Sequence, residues 1–215
     1  MADSKLCAIC NKRKAKRFCP GMSESICSTC CGTEREVKID CPFDCTYLRE
    51  SRRYESGRMR PSREMPFPDI EVSDSFLAVN EQLIGRIAYH LLQYALENPR
   101  TTDADIEGAL EKLVRTYQTL VSGIYYESLP ENPGQVGVFR SLQNFFQEQQ
   151  EEAQKSGGIA TLKEADVLRS LVFLDRLATV NSNQRPRGRA FIDFLRQAYP
   201  EASSRKEESK LVIPG

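Results

Sequence analysis

The chain of 215 residues has a single histidine, His90, and no cysteine beyond Cys45. One histidine excludes an H-E-x-x-H metalloprotease site, which needs two on one helix face. A Cys–His nucleophile pair would have to draw on thiols whose spacing, described below, suits metal instead. The nucleophile elbow G-x-S-x-G, the phosphate-binding loop G-x-x-x-x-G-K-[ST] and the dinucleotide fingerprint G-x-G-x-x-G are all absent. No apolar run approaches the roughly 20 residues that span a bilayer; the densest is Leu171-Val172-Phe173-Leu174. Met1-Ala2-Asp3-Ser4-Lys5 lacks the apolar stretch of a secretory signal. Together these absences lead to the expectation of a cytoplasmic, non-enzymatic protein with no membrane contact.

Neither sign of charge is in excess overall, with 30 Lys/Arg against 30 Asp/Glu, but the two are unevenly placed. Residues 1–63 carry 14 cations against 8 anions and the rest 16 against 22. A basic front and an acidic rear can mark an anionic partner, or can dock on each other.

All eight cysteines fall in the pattern C7-x2-C10-x8-C19-x7-C27-x2-C30-C31-x9-C41-x3-C45. C-x2-C and C-x3-C are spacings at which a tight turn turns two thiolates toward one tetrahedral ion. Asn11 and Gly32 follow two of the pairs, where a positive φ would help the chain turn. Disulfides are the competing reading, but a reducing compartment favours metal-bound thiolates, and eight ligands over 39 positions suit two ions better than one iron–sulfur cubane. About 45 residues with so few apolar side chains cannot fold on burial alone, so metal decides whether this segment folds. The expected cofactor is two structural zinc ions held by Cys7, Cys10, Cys19, Cys27, Cys30, Cys31, Cys41 and Cys45. With four thiolates per ion no position stays open for water or substrate. An interleaved pairing puts Cys7, Cys10, Cys27 and Cys30 on one ion and Cys19, Cys31, Cys41 and Cys45 on the other. A sequential pairing of the first four and the last four fits the spacing equally.

The order of pair, lone cysteine, pair and closing pair is similar to cross-braced double-zinc fingers of the B-box and RING kind. Phe18-Cys19-Pro20 followed by Cys27-Ser28-x-x-Cys31 resembles HIT-type fingers. The likeness covers about a fifth of the chain. Met22 stands where both families place a further ligand, and Cys41 and Cys45 where they usually close with histidines. The resemblance implies interleaved ligands and a protein-interaction role.

Two groups of cations attract attention. Lys12, Arg13, Lys14, Lys16 and Arg17 lie between ligands, next to Phe18, and could meet phosphates and a base. They could equally offset the charge of the thiolates. Arg49, Arg52, Arg53, Arg58, Arg60 and Arg63 follow the last ligand. Farther on, Arg185, Arg187 and Arg189 sit where a helix begins, against the macrodipole, and so call for an anionic partner within or outside the chain.

Beyond the cysteines the apolar period is helical and strand signals are missing. The expected fold is mainly α: a zinc module at 1–48, a basic, proline-containing linker at 49–72, an irregular bundle of about five helices at 73–200 and a polar tail at 201–215. A short polar helix is possible from residue 46. The five main helices run over about 75–97, from a Thr102-x-x-Asp105 capping box through Ile124, through Val138 to Phe146 before dissolving in Gln147–Lys155, from Thr161-x-x-Glu164 through Leu177, and over 187–199. His90, at the edge of an apolar stripe, reads as structural. The functional expectation is a non-enzymatic interaction or regulatory adaptor whose partner is a protein. The alternatives are nucleic-acid binding, and a thiol redox sensor using Cys30-Cys31.

Overall fold

The computed structural model describes residues 5–56, 64–155 and 162–202. The cysteine segment begins with an extended stretch that folds back on itself: Leu6 bridges Lys14, the Cys7 N–H donates to the Arg13 carbonyl (2.8 Å), and Asn11 takes a φ of 49° at the turn. The chain then forms a hairpin of β1 (Arg17–Cys19) and β2 (Glu24–Ile26), antiparallel, with Phe18 opposite Ser25. Gly21 fits its turn because a Cβ there would strike the Asp40 carbonyl. Next comes α1 (Ser28–Glu34), whose N-cap is Cys27: its sulfur accepts from the Cys30 N–H at 3.4 Å. The sequence signalled neither the hairpin nor α1 in this segment, and Gly32 lies inside α1 instead of turning the chain. The core here is small: Ile26, Ile39 and Leu48 pack with the cysteines themselves.

The polar helix α2 (Thr46–Ser56) follows the last cysteine. Residues 64–72 hold no regular element, as the prolines dictate, yet they are pinned to the bundle. Arg176 donates to the carbonyls of Pro66 (3.1 Å), Phe67 (2.6 Å) and Ile70 (2.8 Å), while Phe67, Ile70 and Val72 pack on the main core.

The helix expected over 75–97 is broken into α3 (Asp74–Val79) and α4 (Glu81–Glu97). Ser73 caps α3, and Asn80 closes it with both its backbone N–H and its side-chain amide on the Phe76 carbonyl. The expected capping box starts α5 (Asp103–Val121): Asp105 N–H donates to Thr102 Oγ1, and Thr102 N–H to the Asp105 carboxylate. α6 (Pro133–Lys155) opens on proline and stays helical through Gln147–Lys155, where Gln147 and Lys155 each reach Glu151 one turn away. α7 (Glu164–Asn181) has Lys163 at its N-cap; Thr161, expected there, lies outside the described residues. α8 (Ala190–Ala198) completes the bundle. α5 lies against α7 and α6, α4 bridges α6, α7 and α8, and the core centres on Leu110, Leu113, Phe139, Leu142, Leu171 and Phe191. The fold is mainly α, with a cysteine-rich region in front.

His90 is wedged between α4 and α6. Its Nε2 meets Ser141 Oγ at 2.8 Å and its ring lies 4.7 Å from that of Phe145; burial lowers its pKa.

Asp103 ties two helices together. Its carboxylate accepts from the N–H groups of Ala190 (2.7 Å), Phe191 (3.0 Å) and Ile192 (3.2 Å), capping α8 from the first turn of α5. Burial pushes its pKa up to about 6, against the pull of those three donors. Asp103→Ala leaves buried donors without acceptors and is expected to cost about 2–3 kcal/mol of stability, measurable by urea unfolding.

Candidate metal centre

Cys7 and Cys10 come from the first turn, Cys27 and Cys30 from the N-terminal end of α1. The hairpin between them brings the pairs face to face: the Ala8 N–H donates to the Ser25 carbonyl (3.1 Å) and the Lys16 N–H to that of Ile26 (2.9 Å). The four sulfurs lie within 4.8 Å of one another and could hold a metal ion. This set is the first of the interleaved pairing, and includes Cys30 where the sequential pairing would have Cys19.

Electrostatics favours a cation at their centre. Burial works against ionising Cys7, but the N–H groups of Cys10, Cys27 and Ile9 outweigh it and lower its pKa. The Cys30 N–H lowers that of Cys27 too. Cys30 is driven the opposite way, because it donates to Cys27 and is buried. Four crowded thiols cannot all ionise without an ion to offset their charge. Cys27 raises the pKa of Arg13, which adds a positive charge at the rim.

Cys19, Cys31, Cys41 and Cys45 are arranged differently. Among the described residues they form no group as tight as the tetrad. Cys41 is pushed up to about 11 by burial and by the charges of Glu36, Cys45 and Cys19, against the pull of the Glu36 N–H. Arg17 and Arg35 both approach the Cys31 sulfur at 3.7 Å. The neighbours Cys30 and Cys31 thus serve different surroundings.

The basic stretch is sorted by the strand. Arg17 turns inward, onto the Tyr47 ring (4.3 Å) and Cys31, whereas Lys12, Lys14, Lys16 and Phe18 are exposed. Arg185, Arg187 and Arg189 find their partners within the chain. Arg185 donates to the Arg35 carbonyl (2.6 Å), Arg187 pairs with Asp40, and Arg189 donates to the carbonyls of Cys41 (2.7 Å) and Pro99 (2.8 Å). These guanidiniums join the cysteine region to the bundle, and among the described residues only Arg187 of the three meets an anionic side chain there, Asp40.

Glu36 lies at the centre of this seam and was not singled out by the sequence. It is 1 % exposed and its backbone takes a φ of 52°. Its carboxylate accepts from Arg52 (2.6 Å), the Asn183 amide (2.7 Å) and the Arg189 N–H (3.1 Å). Arg52 also reaches Asp193 at 2.8 Å; burial opposes its charge, and Glu36 and Asp193 outweigh that. Phe43 is covered by the guanidiniums of Arg196 (4.5 Å) and Arg189 (4.6 Å). The seam leaves a cleft of about 680 Å³ between α2 and α8 with mixed charge, Arg49, Arg53 and Arg196 facing Asp44, Glu55 and Asp193.

A second surface also escaped the sequence. Ile124, expected on the apolar stripe of α5, is 65 % exposed because the helix ends at Val121 and Gly123 turns at φ 80°. Tyr125 and Tyr126 beside it are exposed as well. The loop is tied down: Thr119 Oγ1 donates to the Tyr126 carbonyl (3.2 Å), the Ser128 N–H to Thr116 Oγ1 (3.0 Å), and Arg140 to Glu127 (2.9 Å). Adjacent tyrosines after a glycine, out of helical period, were the available signal.

Among the described residues no helix is long and apolar enough to cross a membrane. Comparison with family models, curated proteins and solved structures found no match.

Proposed function

We propose a non-enzymatic, zinc-stabilised interaction protein, in which the cysteine region holds two structural zinc ions and the bundle presents a surface for a protein partner. The observation that carries this reading is the Cys7–Cys10–Cys27–Cys30 tetrad: four buried or half-buried sulfurs that would close the coordination shell and leave no site for substrate. Zinc suits an all-thiolate tetrahedral set in a reducing, cytoplasmic setting. The second ion would fall to Cys19, Cys31, Cys41 and Cys45, with Arg17 and Arg35 offsetting its excess negative charge.

The partner surface is the loop carrying Ile124, Tyr125 and Tyr126. Tyrosines on a pre-ordered loop give large contact area at low entropic cost, the character of an interface hot spot. Two measurements test the proposal. Metal analysis of the purified chain should give two zinc per chain, and one or none would remove the double-zinc reading. Tyr125→Ala with Tyr126→Ala should abolish recovery of a partner co-purified from the native host, while zinc content and melting temperature stay unchanged. Undiminished recovery would rule this loop out as the interface.

A further inference from the structure

The first half of the basic stretch lies on an extended ribbon whose two sides have separate tasks. Arg17 points in, toward Tyr47 and Cys31, and the pKa of Arg13 is raised by Cys27, so these arginines answer the charge of the sulfurs. Lys14 (which bridges Leu6), Lys16 (whose N–H bonds the Ile26 carbonyl) and Phe18 in β1 are exposed, and Lys12 and Arg13 in the preceding bend are exposed too. Phe18 is 62 % exposed and follows the basic run Lys12–Arg17 in sequence. Side chains two residues apart on one side of a strand are about 6.6 Å apart, near the spacing of phosphates along an extended single strand.

The seam sharpens this arrangement. Although the front of the chain is basic, two of its acids meet the bundle: Glu36 takes the Asn183 amide and the Arg189 N–H, and Asp40 takes Arg187. The seam buries the Glu36 carboxylate, while the lysines of the ribbon face solvent. An exposed row of lysines with one aromatic matches the means by which single strands are held without base pairing: phosphate neutralisation plus stacking on an open ring.

We infer that the ribbon Lys12–Phe18 is a binding surface for single-stranded nucleic acid, with Lys12, Lys14 and Lys16 on successive phosphates and Phe18 under a base. The inference rests on the metal-supported fold of the cysteine region, and is independent of any protein partner at the Tyr125–Tyr126 loop.

The test uses the full zinc-loaded chain and a fluorescein-labelled oligo(dT) 20-mer, read by anisotropy across a salt series. Three phosphate contacts on a single strand predict that the triple variant Lys12→Gln, Lys14→Gln, Lys16→Gln lowers the slope of log affinity against log salt by about 2. Phe18→Ala should weaken binding at least tenfold at fixed salt and leave that slope unchanged, and a duplex of equal length should bind more weakly than the single strand. All four side chains face solvent, so zinc content and circular dichroism should match the parent. An unaltered salt slope in the triple variant overturns the inference, as does full affinity in Phe18→Ala. Displacement of the oligonucleotide by polyglutamate at equal charge would overturn it in favour of an acidic protein.

Discussion

Removing zinc with a strong chelator is expected to unfold residues 5–45 while α4 to α8 keep their structure. The cysteine region buries few purely hydrocarbon side chains, chiefly Ile26, Ile39 and Leu48, and its strands are three residues each. Such a core cannot offset the entropy of ordering some 40 residues, roughly 1–2 kcal/mol each for the backbone alone. A structural zinc here would contribute roughly 10–16 kcal/mol of apparent binding energy, so occupancy and folding of this region would be one equilibrium. The bundle has its own core around Leu110, Phe139 and Leu171 and does not depend on the ion. Hydrogen exchange read by mass spectrometry separates the two. Protection at Cys7, Lys16 and Cys31, whose N–H groups are bonded within the region, should collapse, and protection within α5 and α7 should persist. Retained protection at those three amides in protein shown to be metal-free would remove the structural role of the ion.

Glu36→Ala is the substitution outside the ligands with the largest expected effect, about 3–5 kcal/mol. It leaves the Arg52 guanidinium buried with only Asp193 to answer it, and strips the Arg189 N–H and the Asn183 amide of an acceptor. Glu36→Gly removes the same carboxylate but suits the left-handed backbone at φ 52°, so it should be less damaging than alanine by about 1 kcal/mol. Arg52→Met tests the pair itself. If the cost lies in an unpaired buried charge, the double variant should be more stable than the two single losses summed would allow, by roughly 1–3 kcal/mol. Strict additivity in chemical unfolding would show that Glu36 acts through its other bonds alone.

Much of this architecture could be read from residue order, and the gaps have physical causes. Thiol spacing is a local property, so the pairing of Cys7 and Cys10 and of Cys27 and Cys30 was visible. The capping box at Thr102 and the apolar period of the long helices were visible for the same reason. The hairpin was hidden because three-residue strands such as Arg17-Phe18-Cys19 and Glu24-Ser25-Ile26 are too short to show alternation. α1 was hidden because Ser28–Glu34, with its glycine and two threonines, has no apolar stripe; its ends are fixed by sulfur and backbone instead. The partners of Arg185 and Arg189 could not be read at all, since they are chiefly carbonyl oxygens of Arg35, Cys41 and Pro99, and every residue type carries one. Glu36 looked like any charged residue of a basic segment until its partners 147 and 153 positions away were in place.

That separation has a consequence for the order in which the protein is made. The cysteine region is synthesised before the helices that receive it. The segment that receives Glu36 is synthesised about 150 residues later, roughly 8–30 s at ordinary elongation rates. Throughout that interval Arg52, 16 positions on, is the one described partner of the Glu36 carboxylate already made. Closure of the seam must wait for that segment, and a chain released before Arg189 could not complete it.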